Sequence, residues 1–493
     1  MTSVSQAPRF SPLRAAALAR EFFGLEARAE DLPSERDRNF LLATAAGAPG
    51  FARGSTSAVR GRGNKPRVSG EPKARPLTAE KARFVLKFAN RSENPAILDM
   101  QNRAMLHLAR AADGPPCSRV LPNAGGEYMI SVPDEDGAPS TMRLVTYIEG
   151  VPLARVNPQT PGLLFDLGRF LGRLTRGLSG FAHPAARRPL LWDMASGPET
   201  VREYLPLIAE AGRRDLVKTF LRRFDDGLRA KLDSLETGVI HNDANDFNVI
   251  VGPPSEDPES YGERRIAGLI DFGDMVHSYR LAEPAVGSAY IMLGKDDPLA
   301  AAARLVAGYH SVVPFADAEL DVLYHLICLR LIMSVAICAH HTELRPDNAY
   351  LAISNEPAWA ALERLAGVPP ALAACVFRGA CGKIPCPDSP KVVGWLAART
   401  ADFAPVTGFP LASAPLAVFD LSVGSPLIAN PGLVEDTESF SRLLFGEMKR
   451  TRAAVGVGRY DEARLVYASP TFRPADRPLA EGRTVHIGID LFL

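Results

Sequence analysis

Residues 238–288 read GVIHNDANDFNVIVGPPSEDPESYGERRIAGLIDFGDMVHSYRLAEPAVGS. Two short apolar runs, Gly238–Ile240 and Ile266–Ile270, each end on a polar cluster. The first cluster is His241-Asn242-Asp243, with Asn248 five residues after the aspartate. The second is Asp271-Phe272-Gly273-Asp274, which starts 23 residues after that asparagine. The Pro-, Glu- and Ser-rich turn between them lets Val249–Val251 pair with Ile266–Ile270 as a hairpin. Such a hairpin sets Asn248 beside Asp271 at one end.

Phosphoryl transfer calls for this layout. A carboxylate orients the acceptor hydroxyl and takes its proton, while an amide and a second carboxylate hold Mg2+ against the nucleotide phosphates. Mg2+ wants hard oxygen ligands in near-octahedral geometry, and phosphate oxygens and water complete the set. These requirements make Asp243 the base and Asn248 with Asp271 the metal pair, and His241 reads as a brace for the loop backbone. An H-x-D-x4-N match alone arises often by chance. An apolar run ending in D-F-G at this distance does not.

The stretches LPSERDRNFLL (32–42), HNDANDFNVIV (241–251) and LIDFGDMVHSYRLAEPAV (269–286) resemble the aminoglycoside phosphotransferase and choline kinase family of the kinase-like fold. Within it, the hydroxylysine kinases and their bacterial relatives are most similar, and the resemblance covers about residues 10–400. It implies an α+β, two-lobed protein-kinase-like fold: a β-rich lobe over 1–148 and a helical lobe with the catalytic loop over 149–370. A linker over 371–404 and a partial β-rich segment over 405–493 would follow. It also implies ATP or GTP as phosphoryl donor with Mg2+, and a small amino alcohol as acceptor. The family more often has Gly where this chain has Asn242, whose side chain is expected to face away.

The composition fits. With 56 basic and 56 acidic residues the chain is neutral, which argues for neither a nucleic-acid nor a membrane partner. Six cysteines in 493 residues are no disulfide framework, and Cys375, Cys381 and Cys386 have no CxxC pair or nearby His to complete a metal set. Reduced thiols and a cytoplasmic location follow. Arg9, Arg14 and Arg20 interrupt any leader-like apolar run. The most apolar stretch, Val322–Ala339, contains His325 and Arg330, and so reads as a buried helix.

In chain order, residues 11–30 carry helical apolar spacing. The turn at Leu32–Asn39 lacks a G-x-G-x-x-G run, leaving Ser34 and backbone amides to grip phosphate. Residues 52–83, with nine Lys or Arg against two Glu, read as a mobile basic insertion. Phe84–Ala89 is a strand whose Lys87, by the resemblance, bridges nucleotide phosphates. Its carboxylate partner should lie on the helix Asn94–Ala112, but Gln101 stands where relatives usually have Glu. Asp99 or Glu93 is then the substitute. Backbone groups from Thr146 through Tyr147 to Ile148 are implied to read the purine.

Further helices are expected at Leu163–Ser179, at Thr200–Glu210 (cut short at Pro206), and at Leu216–Leu235. After Asp274 no long activation segment and no A-P-E follow, which favours a small acceptor over a protein. Helical runs continue at Ala285–Leu293, Asp297–Tyr309, Asp317–His340 and Ala358–Leu365. An amine-bearing acceptor wants carboxylates, and Asp246 and Glu283 are the candidates, with Asp274 as a second metal contact. Residues 366–404 read as an exit from this lobe.

Beyond Ala404 short β-like runs follow: LAVFDLSV, RLLFGEM, AAVGVGRY, RLVYASP and TVHIGIDLFL. In a strand, His486 and Asp490 share one face, as two zinc ligands would. This end resembles the start of a lysostaphin-type (LytM-like) metallopeptidase domain. Its third ligand, from a later H-x-H, does not follow, so the segment reads as incomplete and inert. Some proteins of similar sequence join kinase, peptidase-like and aminotransferase modules, which implies further domains on the full-length polypeptide. The competing readings are an inactive kinase-like binding module and a peptide hydrolase.

Overall fold

The computed structural model describes residues 7–34, 37–44, 82–344, 355–404, 407–408, 410–428, 432–472 and 482–493. The basic insertion expected over 52–83 lies outside these except for its last two residues. The chain divides into two compact units, one of residues 1–109 and 117–148, the other of residues 110–116 and 149–493.

The first unit is built on an antiparallel sheet. Helix α1 (Pro12–Phe23) starts at the Ser11 cap and stops at Gly24, whose φ of 65° suits a residue without a Cβ. The expected helix over 11–30 therefore ends early, and Ala27–Leu32 becomes strand β1. It pairs with β2 (Arg38–Thr44), which pairs with β3 (Arg83–Phe88). Next come α2 (Pro95–Arg110), β4 (Val120–Leu121), β5 (Ile130–Pro133) and β6 (Pro139–Thr146). The sheet order is β1-β2-β3-β6-β4, with β5 also on β6. Period-2 alternation puts Phe40, Leu42, Leu86, Phe88, Met142 and Leu144 into one core with Leu18 and Phe23 of α1. Lys87 lies directly opposite Arg143 of β6, so both project from the other face of the sheet.

In the second unit, β7 (Val151–Pro152) is followed by α3 (Pro161–Gly177), α4 (Gly197–Tyr204), α5 (Ala211–Gly227) and α6 (Arg229–Leu232). Helix α4 gives way to a 3₁₀ turn at Leu205–Leu207, which contains Pro206. Then come β8 (Thr237–Ile240), β9 (Val249–Val251), β10 (Ile266–Leu269), β11 (Val276–Tyr279) and α7 (Ala282–Ile291). Helices α8 (Pro298–His310), α9 (Asp317–Leu344), α10 (Asn355–Ala366), α11 (Pro370–Ala380) and α12 (Ser389–Ala397) complete the helical part. Two glycines let α3 and α8 touch backbone to backbone. A Cβ on Gly168 would lie 1.9 Å from the Leu305 carbonyl oxygen, and one on Gly308 would lie 2.0 Å from that of Phe165.

Helix α9 is long and apolar enough to cross a membrane, yet 83% of that stretch is buried within the unit, as for a core helix. Helix α11 also packs into this core through Leu372, Ala373 and Phe377, so the stretch expected as an exit from the lobe begins as part of it.

The last segment is mixed α/β where strands alone were expected. Strand β12 (Leu416–Phe419) lies parallel to β13 (Val455–Gly458), and such a pair needs a crossover. The crossover carries α13 (Gly432–Glu435) and α14 (Thr437–Thr451), so RLLFGEM is helical. Asp436 caps α14, and Leu444 and Met448, four residues apart, face the local core. RLVYASP forms 3₁₀ turns. β14 (Glu462–Ala463) pairs with β15 (Val485–His486), and β16 (Asp490–Phe492) pairs with β13.

Candidate active site

Two ladders hold the catalytic loops. The expected hairpin forms, with Val249 opposite Leu269 and Val251 opposite Ile266. A second ladder, not foreseen, pairs β8 with β11 from Ile240↔Val276 to Thr237↔Tyr279. Residues 241–248 and 270–275 thus each run from one ladder to the other, and the Ile270 amide donates to the Asn248 carbonyl at 3.0 Å. The convergence of His241, Asp243, Asn248 and Asp271 is a consequence of strand pairing on both sides.

Within the first loop side-chain amides and carboxylates bond the backbone and one another. Asn245 turns the chain, its Oδ1 accepting from the amides of Phe247 (2.8 Å) and Asn248 (3.0 Å). Asn245 Nδ2 donates to Asp243 Oδ1 at 2.9 Å, and Asn248 Nδ2 donates to Asp243 Oδ2 at 2.7 Å and to the Asp243 carbonyl at 3.0 Å. With its amino group so used, the Asn248 amide presents its oxygen on the opposite side. Asn242 has φ 67° and Asp271 φ 60°, a region short polar side chains tolerate. Asn242 therefore serves at a left-handed position where Gly is the default. Its side chain is buried and donates from Nδ2 to the Trp192 carbonyl at 3.2 Å.

His241 is fully buried, edge-on to Phe272 at 4.9 Å, and its Nδ1 accepts from the Asp243 amide at 3.3 Å. Loss of hydration holds it down to about 4, so the ring is neutral at pH 7. Glu283, expected to face an acceptor, is fully buried below the loop. Its Oε2 accepts from the amides of His241 (2.7 Å) and Asn242 (3.4 Å). Burial pushes this carboxyl up to about 7 despite those bonds. Its place is under the loop backbone.

Asp243 is held well above the usual carboxylate range, first by burial and then by the charges of Asp274 and Asp271, with Arg330 opposing. The Asn248 amide oxygen and the exposed Asp271 carboxylate are hard oxygen donors of the kind a divalent cation takes. Asp271 Oδ1 also accepts from the Gly273 amide at 3.1 Å. Among the described residues no three His, Cys, Asp or Glu side chains form a metal-holding group, so other ligands would come from phosphate and water. Arg188 clamps the DFG turn, donating to the carbonyls of Gly273 (2.6 Å) and Met275 (3.1 Å). Asp246 is half-buried, and burial raises its carboxyl while Lys295 opposes.

The sequence reading missed Asn245 and gave Arg330 no role. Asn245 could have been read from turn chemistry. Arg330 had a signal in being the only cation within an apolar run, since a buried charge demands a partner.

In the first unit, Thr146 donates its amide to Arg119 (2.9 Å) and Tyr147 to Arg83 (3.4 Å), and Ile148 ends the unit. Ser34 Oγ accepts from the Asp37 amide at 3.2 Å. Of the two carboxylates offered as partners for Lys87, Asp99 pairs with Arg103 at 2.7 Å, and Glu93 Oε1 accepts from the Asn94 amide at 3.2 Å. Gln101 instead receives the buried guanidinium of Arg143 at 3.0 Å, with Asn102 Oδ1 at 3.1 Å beside it. The strand neighbour of Lys87 has taken the helix position where a Glu would sit.

The zinc pair also dissolves. His486 and Asp490 lie on separate strands of separate sheets. Their side chains approach at 3.4 Å, but Asp490 Oδ2 accepts from Arg464 at 2.5 Å and His486 Nδ1 meets the Tyr467 hydroxyl at 2.8 Å.

A model of the phosphotransferase enzyme family matches residues 74–326, just over half of the chain. The chain belongs to this family. It is a phosphotransferase acting on a hydroxyl group, with the kinase-like fold. It is 28% identical to hydroxylysine kinase of Mus musculus over 375 residues, 74% of this chain and 91% of that protein. Against hydroxylysine kinase of Danio rerio the identity is 30% over 298 residues, 58% and 81% of the two chains. Among solved structures, a microcompartment-associated aminopropanol kinase matches at TM-score 0.49 and 17% identity, covering 75% of this chain and 98% of its own.

Proposed function

We propose that this chain is a small-molecule kinase that moves the γ-phosphoryl group of ATP or GTP to the hydroxyl of an amino alcohol, hydroxylysine-like in kind. The grip of Asn245 and Asn248 on the two oxygens of Asp243, beside Asp271, carries this reading. Similarity to hydroxylysine kinases over most of their length supports the acceptor class. So does the chain after Asp274, which passes directly into β11 and α7 and leaves no segment to seat a peptide.

In this reading Asp243 orients the acceptor hydroxyl and takes its proton as the oxygen attacks phosphorus. Asn248 and Asp271 hold Mg2+, which when bound neutralises charge on the transferring phosphates. Lys87 steadies the donor phosphates, Ser34 with its turn covers them, and backbone of Thr146–Ile148 reads the base. Asp246 faces the ammonium of the acceptor, and His241 and Glu283 keep the loop in shape. Six free cysteines support a reducing, cytoplasmic setting.

Asp243→Asn should lower kcat by about a hundred-fold or more while nucleotide affinity stays near wild type. Turnover at the wild-type rate would remove Asp243 as base. The Gln101 position favours a second reading, a nucleotide-binding module without turnover. A Mg-dependent assay with hydroxylysine, other amino alcohols, aminoglycosides and sugars separates the two.

A further inference from the structure

Arg330 lies in the middle of α9, its side chain 1% exposed, four residues beyond the end of the family match. Burying a guanidinium is costly unless its donors are met. Here the two terminal nitrogens reach three elements, while Nε has no hydrogen-bond partner. One arm donates to Asp243 Oδ1 at 3.4 Å and to the Tyr290 hydroxyl of α7 at 3.5 Å. The other donates to the Trp192 carbonyl at 3.2 Å, the same oxygen that accepts from Asn242. The guanidinium plane is flanked by the Trp192 ring at 4.5 Å and the Tyr290 ring at 5.6 Å. Asp243 is therefore held by Asn248 on Oδ2 and by Asn245 and Arg330 on Oδ1, and only Arg330 belongs to a different element.

We propose that Arg330 is a positioning residue for phosphoryl transfer, fixing the direction of the Asp243 carboxylate by tying it to α9, α7 and the Trp192 segment. The inference rests on Asp243 being the base. A lysine cannot reproduce it fully, because one ammonium cannot reach the Asp243 carboxylate and the Trp192 carbonyl with the fixed fork of a guanidinium. The base stays in place on its loop without Arg330, but its carboxylate turns, and a misplacement of about 1 Å costs about a hundred-fold.

The test compares Arg330→Lys, Arg330→Met and Asp243→Asn in the full chain, measuring kcat, acceptor KM, nucleotide affinity and melting temperature. Arg330→Met should lower kcat by about a hundred-fold with nucleotide affinity within about twofold of wild type, and Arg330→Lys should recover about tenfold of that. If the Met variant does not fold, the Lys variant decides alone, with a roughly tenfold fall in kcat at unchanged nucleotide affinity expected. A folded variant with wild-type kcat overturns the inference. So does a fall in kcat matched by an equal fall in nucleotide affinity, which marks a merely structural role. An active Asp243→Asn would sink the base assignment instead, whereas an inactive Asp243→Asn beside a normal Arg330→Lys sinks only the role of Arg330.

Discussion

The catalytic loop and the last strand of the chain use the same side chains to opposite ends. Each brings a histidine, aspartates and a buried arginine together. Around Asp243, Arg330 opposes the charges of Asp274 and Asp271, and Asp271 stays exposed. Around Asp490 arginines span the carboxylates: Arg464 meets both Glu462 (2.8 Å) and Asp490, and Arg459 meets Glu462 (2.7 Å) and Asp420 (2.5 Å). The first cluster keeps an exposed carboxylate, whereas in the second every carboxylate named already has an arginine. Ligand-like spacing says little until neighbouring charges are counted.

The largest effect should come from removing the exposed carboxylate. Asp271→Asn is expected to cut turnover by about a hundred-fold or more and to raise the Mg2+ concentration needed for half-maximal activity. Wild-type metal dependence would break the comparison on its catalytic side. The mirror test is Arg464→Met, which leaves Glu462 and Asp490 without their shared cation. It should cost the last segment about 3–5 kcal/mol, seen as faster amide exchange over 416–492, while kcat changes little.

Glu283 sharpens the comparison through pH. Its carboxyl sits at about 7 in the folded chain against 4.5 when exposed, so the folded state binds that proton more tightly. Between those values stability is lost as pH rises, by up to about 3 kcal/mol. Glu283→Gln should abolish that slope, and urea midpoints at pH 5 and pH 8 for both proteins would show it. His241, held at about 4 against 6.5, gives the opposite slope in that lower window in both proteins and drops out of the difference. The smallest effect is expected at His486. His486→Ala should leave activity unchanged, and metal analysis should find no stoichiometric zinc in either protein.

Much of this was legible in the chain. The catalytic loops were, because their residues lie within fifty positions and end on strands that pair locally. The helices were legible wherever apolar spacing was long and capped. Three things were not. The β8–β11 ladder was hidden because Val276–Tyr279 is short and follows the DFG turn directly. α14 was hidden because β-like apolar residues outweighed its Asp436 cap. Arg330 was hidden because its partner lies 87 residues away, and only tertiary packing brings them together. The Lys87 neighbourhood was half legible: Gln101 was noticed as a departure, but its cause, the guanidinium of Arg143, sits on another strand.

Helix α9 has a practical consequence for anyone dividing the gene. A fragment cut where the family match ends would retain every residue assigned to the phosphoryl group and to the metal. It would also sever α9 before Arg330, along with the apolar turns that seat it against the rest of the helical lobe. The smallest piece expected to turn over substrate is thus longer than the recognisable motif, and should extend through the whole of that helix.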